Sequence, residues 1–459
     1  MRDRNARFRS EQQQDRVSRK MARAAAVDFF NILTGPELLE VTEAHLPEHR
    51  ERLYPPTVAL SMFMKQALEL DRSCQRAVDA WAGQRAAEGL SVRSIRTGAY
   101  CRARGRLPLE MIVALTRETG RLLSSRARPG WRWRGRCVKL ADGTAVSMPD
   151  TPENQARFPQ PHSQAEGVGF PLAGLAGIVC LSTGAVLEVA IGAHANPGQS
   201  EQDLFRGLLD TLQSGDVLLA DALYCSYWLI ATLQAAGVDV LFEQHGSRIT
   251  DFRRGQALGR RDHVVHWLKP KTRPGWMSRE QYRAFPEQLS IREAKVAGRV
   301  LVSTLLDART VCKSELSRLY ARRWQVELDI RNIKTTLGLE VLRCLTPQMV
   351  EKELWVSLLA YNVIRLLMAQ AAQTVGLHPR ELSFKHAVQM WTTWSCRACN
   401  IFAAPEEFFR LLAQQTVGKR PGRIEPRARK RRPKSFPWLK VPRSLARHQI
   451  RTYGHLLCA

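Results

Sequence analysis

Residues 215–226 of the chain read GDVLLADALYCS. The apolar run at residues 217–220 is directly followed by Asp221. A short, uninterrupted apolar run of this kind is typical of a strand that is buried on both faces. The sequence then predicts a helix over residues 226–236 and another apolar strand over residues 238–243. A strand, a helix and a strand in succession predict an α/β protein, with Asp221 at the carboxyl end of a strand, where active-site residues of α/β sheets collect.

Upstream of this segment the sequence predicts three more strands and a helix. Short apolar runs rich in β-branched residues predict the strands, and a Ser-Thr-Gly turn at residues 182–184 joins the second to the third. The strands cover residues 137–141, 175–181 and 186–191, and the helix covers residues 200–212. Asp142 directly follows the first strand, just as Asp221 follows its own. This order of elements predicts a mixed α/β sheet.

Downstream, residues 246–310 change to a β-rich pattern before a long helix that is predicted over residues 314–337. The pattern predicts strands at residues 263–268, 288–295 and 299–305. This block is therefore interpreted as an insertion into the α/β unit. Apolar residues at helical spacing predict helices in the two flanks of the chain. These helices cover residues 24–33, 57–70, 109–123, 354–370 and 405–414.

The chain has 459 residues and a formal net charge of +26, from 69 Lys and Arg against 43 Asp and Glu. Such an excess predicts a polyanionic partner, most often nucleic acid. The charge is concentrated at the ends: residues 1–136 carry +11, residues 137–375 carry +2 and residues 376–459 carry +13. We therefore expect polyanion binding at the two ends and a different task between them.

Secreted and membrane proteins are excluded at this level. The first nine residues are too basic for a signal peptide, and the longest apolar stretch, 354–368, is interrupted by Arg365. We expect no leader, no membrane-spanning segment and a cytoplasmic location.

Ten cysteines with one close pair, Cys396 and Cys399, indicate a reduced protein rather than a disulfide scaffold. A single CxxC is weak support for a zinc site.

The sequence thus predicts five parts. They are a helical, basic DNA-binding domain (1–136), the first part of an α/β core (137–245), a β-rich insertion (246–312), the second part of the core (313–375) and a helical, basic C-terminal region (376–459).

Asp142 and Asp221 are the first candidates for chemistry, because both follow apolar strands of the core. An acid in a protein that binds polyanions is electrostatically unfavourable unless a cation offsets it. Carboxylate oxygens are hard ligands that suit Mg²⁺ or Mn²⁺. The alternative for either aspartate alone is a strand-end turn or a helix N-cap.

The predicted helix over residues 314–337 supplies a third acid. On a helical wheel its apolar residues form a core stripe, and four other side chains lie along one edge of that stripe. These are Tyr320, Arg323, Glu327 and Lys334. The carboxylate could join the two aspartates at a metal pair, and the cations could hold phosphates. The alternative is that Arg323 and Glu327 form an ordinary i,i+4 ion pair.

The spacing of Tyr320, Arg323, Glu327 and Lys334 resembles the Tyr-Arg-Glu-Lys signature of the insertion-sequence-four family of DDE transposases. Two further segments, residues 140–144 (LADGT) and 215–226, resemble the family's two aspartate motifs. The GRIEPR stretch at 422–427 and the basic run after it are similar to the family's C-terminal segment. The resemblance implies a ribonuclease-H-like mixed-sheet core that is interrupted by a β-rich insertion.

The resemblance also assigns roles to these residues. It implies that Asp142, Asp221 and Glu327 form a catalytic triad that binds Mg²⁺ or Mn²⁺, as two ions, and that Tyr320, Arg323 and Lys334 contact DNA near the transposon end. The chain departs from many relatives at Ala222, where they have arginine. Some relatives hold a flipped base with a tryptophan of the insertion. Trp267 and Trp276 are candidates here, although we expect both to pack in the core.

The implied activity is that of a DNA transposase. Such an enzyme binds the terminal inverted repeats of its element, cleaves there through a hairpin intermediate and joins the ends to target DNA within a synaptic homodimer. Because its substrate is DNA, we expect this protein in the bacterial cytoplasm, associated with the nucleoid. The alternatives are a DNA-binding regulator or inactive relative, a metal-dependent nuclease of the same fold, and, ranked last, an RNA-binding protein.

Overall fold

The structure is a computed structural model that describes residues 36–46, 53–92, 94–194, 196, 198–395, 405–418 and 439–454. The predicted helix at 24–33, the cysteine pair at 396 and 399, and the stretch at 422–427 lie outside the described residues.

Helices dominate both flanks of the described chain. They are α1 Pro36–His45, α2 Pro56–Leu68, α3 Cys74–Ala87, α4 Gly98–Arg106, α5 Leu109–Ser125, α6 Pro152–Arg157, α7 Glu201–Arg206, α8 Tyr227–Ala235, α9 Arg279–Ala284, α10 Lys313–Ala321, α11 Trp324–Arg331, α12 Pro347–Thr374, α13 Phe384–Ser395, α14 Pro405–Ala413 and α15 Arg443–Tyr453. A π-helix, Asn332–Thr336, continues α11, and a short 3₁₀ turn, Ala222–Tyr224, precedes α8.

The strands form one sheet in the middle of the chain. They are β1 Val138–Ser147, β2 Leu172–Cys180, β3 Val186–Ala193, β4 Val217–Ala220, β5 Asp239–Glu243, β6 Gln256–Gly259, β7 Asp262–Leu268, β8 Gln288–Val296 and β9 Arg299–Ser303.

The order of strands in the sheet is β3-β2-β1-β4-β5-β9-β8-β7-β6. The first three form an antiparallel meander, and β4 and β5 run parallel to β1. This mixed five-stranded arrangement is the ribonuclease-H-like core that was expected. The β-rich insertion does not form a separate sheet, because β9 pairs with β5 in antiparallel orientation and extends the core sheet sideways.

The sheet separates two apolar cores. Successive side chains of a strand point to opposite faces, so Leu140 and Leu219 pack in one core while Ala141 and Leu218 pack in the other. Residues of the N-terminal helices α2 and α5 and of the long helix α12 belong to the first core, together with Val326 of α11. Residues of α7 and α8 belong to the second core. The helix that carries the signature residues therefore lies on the same face as the N-terminal helices.

Helix α12 lies at the centre of the first core. It is long and apolar enough to cross a membrane, yet 83% of its most apolar stretch is buried inside the protein. Its side chains also bond to the sheet: the Asn362 amide accepts from the Val186 N–H at 2.9 Å and donates to the Val186 carbonyl at 2.8 Å. These contacts are typical of a core helix.

The prediction of one continuous helix over residues 314–337 is wrong. The N–H groups of Arg322 and Arg323 bond three residues back instead of four, which tightens the chain between α10 and α11. After α11 the chain widens into the π-helix, where the Leu337 N–H bonds five residues back to Asn332. Tight and wide turns rotate successive side chains by different angles. A single helical wheel therefore does not give the side-chain directions between Tyr320 and Lys334.

Candidate active site

Asp142 in β1 and Asp221 directly after β4 lie level with each other, because β1 and β4 are neighbouring parallel strands. The parallel register pairs Lys139 with Leu218 and Leu140 with Leu219, so two residues further along it sets Asp142 beside Asp221. The alternation along both strands directs their side chains to the face that carries α11. The structure thus brings together two acids that are 79 residues apart in sequence.

The two aspartates do not occupy equivalent positions in their strands. β4 ends at Ala220, so Asp221 follows its strand as predicted, and its carboxylate accepts from the Leu223 N–H at 2.8 Å. The prediction that Asp142 ends a strand is wrong, because β1 continues to Ser147. Antiparallel pairing with β2 supplies backbone partners along the whole of this extension, including Asp142 opposite Gly177.

The Asp142 carboxyl group is largely buried, with 17% of its side chain exposed. Burial raises its pKa to about 6, and the negative charges of Glu201 and Asp221 raise it as well. The Gly143 N–H, which donates to Asp142 at 2.9 Å, and the charge of Arg323 act in the opposite direction. A carboxyl group with a raised pKa that is surrounded by other acids is typical of a functional site.

Glu201, the first residue of α7, is a fourth acid at this site that the sequence did not reveal. The Tyr224 hydroxyl donates to it at 2.7 Å, and a Cβ at position 143 would collide with its carboxyl group. Burial raises the pKa of Glu201, and the charge of Asp221 adds to this. In the sequence, Glu201 follows the N-cap Ser200 and looks like a typical acid of a helix first turn. Only the packing of α7 against β2 brings it to Asp142.

Arg323 links the first and third acids of the predicted triad. Its guanidinium donates to Glu327 at 2.8 Å, and another of its nitrogens lies 4.0 Å from Asp142. The i,i+4 pair that was weighed as the plain alternative is therefore formed, and the same cation also faces the sheet. Arg323 and Glu327 thus lie opposite Asp142, across the space between α11 and β1.

The two outer members of the signature differ in their surroundings. Tyr320 is 7% exposed, and its hydroxyl donates to Glu243 at the end of β5 at 3.2 Å. Lys334, in the π-helix, donates to the Ala145 carbonyl at 2.9 Å and lies 3.3 Å from the Thr144 hydroxyl. Lys334 is thereby held beside the segment of β1 that follows Asp142.

The chemistry of the donors fits a hard divalent cation. Carboxylate oxygens are preferred by Mg²⁺ and Mn²⁺, and a bound cation would relieve the repulsion among Asp142, Asp221 and Glu201. Within the described residues, however, no three acidic, histidine or cysteine side chains are already spaced to hold one ion. Glu327 is instead paired with Arg323.

The tryptophans of the insertion have different environments. Trp267 is 3% exposed and its indole N–H donates to Glu293 at 2.7 Å, so the expected core packing is found. Trp276 is 49% exposed, which contradicts the same expectation. It lines a cavity of about 340 Å³, with Arg206 stacked 4.3 Å from the centre of its ring. The cavity also borders Tyr224, the partner of Glu201.

Comparison with known proteins finds similarity over most of the chain. The transposase InsG of insertion sequence element IS4 from Escherichia coli (strain K12) is 29% identical over 361 residues, which cover 75% of this chain and 78% of that protein. A cryo-EM structure of a piggyBac transposase synaptic complex with hairpin DNA aligns at 10% identity and a TM-score of 0.37, over 82% of this chain and 88% of that one.

The transposase DDE domain matches residues 133–363, which are just over half of the chain. The matched range begins before β1 and ends within α12, so it includes the sheet, both aspartates and the signature helix. The resemblance to the insertion-sequence-four transposases is thereby confirmed, and the chain belongs to the DDE transposases, enzymes that transfer phosphoryl groups of DNA.

Proposed function

We propose that this transposase binds the terminal inverted repeats of its own insertion sequence, cleaves DNA there and joins the freed ends to a target. The observation that supports this proposal most is the position of Asp142 level with Asp221, opposite Arg323 and Glu327. The spacing of the acids along the chain does not by itself require such a cluster. Its formation in the folded protein supports catalysis over a purely DNA-binding role.

Each residue of this cluster has a distinct role in the proposal. Asp142, Asp221 and Glu327 would hold two Mg²⁺ or Mn²⁺ ions, which supply activation of a water or 3′-hydroxyl and stabilisation of the leaving oxygen. Arg323 holds the scissile phosphate from the α11 side and orients Glu327. Lys334, beside β1, contacts the next phosphate along the strand. Tyr320, bonded to Glu243, supports this surface from beneath, and its proposed contact with DNA is confined to the 7% of the residue that is exposed.

The basic ends of the chain supply DNA binding in this proposal. Residues 1–136 and 376–459 carry almost all of the net positive charge, and the N-terminal helices pack on the face that carries α11. Phosphate contacts from these ends would position the transposon end over the acids without reading much sequence. Cut-and-paste transposition through a hairpin, in a synaptic homodimer in the bacterial cytoplasm, is part of the same proposal.

The test is cleavage of a DNA duplex that carries the terminal inverted repeat, with Mg²⁺ present. Asp142→Asn, Asp221→Asn and Glu327→Gln should each abolish cleavage and leave binding of the end largely intact. Asp239→Asn is the matched control. This aspartate begins β5, so it lies at the opposite end of the parallel strands from Asp142 and Asp221. Retained cleavage in any of the three variants would remove that residue from the triad.

The same experiment separates the alternatives. A DNA-binding regulator would bind the repeat but show no Mg²⁺-dependent cleavage with the unaltered protein. A nuclease would cleave but would not join the 3′-ends to a target plasmid, so joined products distinguish transposition from hydrolysis alone.

A further inference from the structure

A second acid of α11, Asp329, is completely buried and is bonded to three side chains from other elements. Arg380 donates to both of its carboxylate oxygens at 2.6 Å, and Arg365 donates at 2.5 Å. The hydroxyl of Tyr361 lies 3.0 Å from the same carboxylate. A buried carboxylate with two guanidinium partners is a strong and directional attachment.

The partners of Asp329 connect α11 to two distant parts of the fold. Tyr361 and Arg365 belong to α12. Arg380 lies beyond α12 and also donates to the carbonyls of Cys180 and Leu181, at the end of β2, both at 2.9 Å. One carboxylate thereby joins α11 to α12 and to the turn between β2 and β3.

Asp329 and Glu327 face opposite directions. Residues two apart on an α-helix are separated by about 200° around its axis. Glu327 accordingly pairs with Arg323 on the side of α11 that faces β1, and 35% of its side chain is exposed. The Asp329 side chain is completely buried. The attachment at Asp329 therefore holds the helix from behind and leaves the Glu327 side free for DNA.

The ends of α11 do little to fix the direction of Glu327. The helix spans eight residues, has no side-chain N-cap, follows a tightened turn and continues into a π-helix. A short helix with irregular turns at both ends is held mainly by its tertiary contacts. Its rotation, and with it the direction of Glu327, depends on contacts such as those of Asp329.

We infer that Asp329 is a positioning residue, which sets the direction of Glu327 through its attachment to Arg365 and Arg380. This inference rests on the proposed catalytic role of Glu327. Because both arginines lie after residue 363, where the DDE domain match ends, the inference also gives the C-terminal part of the chain a role in the active site.

The experiment compares two variants of the attachment with a control. Asp329→Asn weakens the bonds to both arginines, and Arg380→Met leaves Asp329 paired with Arg365, so a folded protein is expected even if the first variant does not fold. The control is Glu293→Gln, another buried acid, whose partners His263 and Trp267 lie within the insertion. Glu327→Gln is measured alongside.

Two quantities are measured on the full chain, well below the unfolding temperature of each variant. Single-turnover cleavage of pre-bound terminal DNA should fall about a hundredfold in both attachment variants, as a displacement of about 1 Å in an active site does, with the DNA dissociation constant unchanged. Amide hydrogen exchange of residues 324–336 without metal or DNA should become faster in both and stay unchanged in Glu293→Gln.

The outcomes separate this inference from the proposed function. If Glu327→Gln abolishes cleavage while both attachment variants cleave and exchange like Glu293→Gln, Asp329 does not position the helix and the inference is wrong. If Glu327→Gln cleaves like the unaltered protein, the proposed catalytic role of Glu327 is wrong, and the inference that rests on it is wrong as well. Faster exchange at residues 324–336 with normal cleavage would also overturn the inference, because the helix would then move without consequence for the reaction.

Discussion

Arg323 and Glu327 form an ion pair of 2.8 Å one helical turn apart, and the same guanidinium lies 4.0 Å from Asp142 on the neighbouring strand. The side chain of Arg323 is 14% exposed, so this cation acts in surroundings with little water. Electrostatic interactions are stronger in such surroundings than at an open surface. We therefore expect Arg323 to balance the acids before DNA binds and to bind a phosphate afterwards.

Replacing either signature cation should reduce catalysis more than DNA binding. We expect Arg323→Ala and Lys334→Ala to lower single-turnover end cleavage by roughly a hundredfold, since each removes a preorganised charge from the site. The dissociation constant for the end duplex should change much less, because the proposed function assigns most phosphate contacts to the basic flanks. Arg318→Ala, an exposed cation on α10, is the control. An equal loss of affinity and of cleavage would assign both cations to nonspecific binding.

The raised pKa of Asp142 predicts how the stability of the metal-free protein depends on pH. Burial in the folded protein raises this pKa from its ordinary value of 3.8 to about 6, so the folded state disfavours the charged form. The stability that the protonated group contributes is present below about pH 4 and is lost as the pH rises through 6. A shift of this size corresponds to roughly 3 kcal/mol.

The measurement is chemical unfolding in the presence of a chelator. The unfolding free energy of Asp142→Asn, relative to the unaltered protein, should rise by up to roughly 3 kcal/mol between pH 4 and pH 7. The difference between the two proteins cancels the titration of all other groups that the substitution leaves unaltered. A difference that does not depend on pH would mean that Asp142 has an ordinary pKa in the folded protein.

The Glu201 carboxyl group closely approaches the backbone at Gly143, so a side chain at this position would force that carboxyl group to move. A Cβ at position 143 would meet the Glu201 carboxyl group, whereas a Cβ at Gly259, in the edge strand β6, would meet nothing within 4 Å. Gly143→Ala should therefore lower the unfolding free energy by about 1–3 kcal/mol and displace Glu201, whereas Gly259→Ala should change it by less than about 0.5 kcal/mol. Thermal unfolding of the two variants checks this prediction. Equal stabilities would show that Glu201 moves aside without cost.

The basic C-terminal stretch should contribute to the salt dependence of DNA binding. Residues 419–447 contain 12 basic residues and one acid. Removing residues 419–459 should reduce the slope of log affinity against log salt by about 0.9 for each phosphate contact that is lost. Fluorescence anisotropy of an end duplex across a salt series measures the slope. An unchanged slope would mean that the tail does not contact DNA.

Strands with an uninterrupted apolar run were predicted closely from the sequence. The strand that the apolar run at residues 217–220 predicted is Val217–Ala220, and it is buried on both faces as the run indicated. The strand expected to end at residue 141 continues to Ser147, because pairing with β2 supplies partners to residues that are not apolar. The short, exposed strand β6 was missed because its stability comes from pairing with β7 rather than from its own residues.

The candidate site was predicted only in part, because local sequence patterns mark some of its residues and not others. Asp142 and Asp221 stood out because each follows an apolar run, and Arg323 and Glu327 because they belong to a recognisable spacing. The structure brings these four residues together. Glu201 and Asp329 did not stand out. Glu201 resembles an ordinary acid in the first turn of a helix, and Asp329 resembles an ordinary residue of an amphipathic helix.

By itself, the sequence determined the α/β class, the concentration of positive charge at the two ends and the position of Asp221 at the end of its strand. Each of these depends on neighbouring residues or on composition, which act at short range along the chain. Tertiary structure alone decided that Asp142 lies level with Asp221, that Glu201 joins them and that Asp329 anchors the helix of Glu327. Register, helix packing and burial bring together residues that are far apart in sequence, and only the folded chain specifies which side chains then share a low-dielectric space.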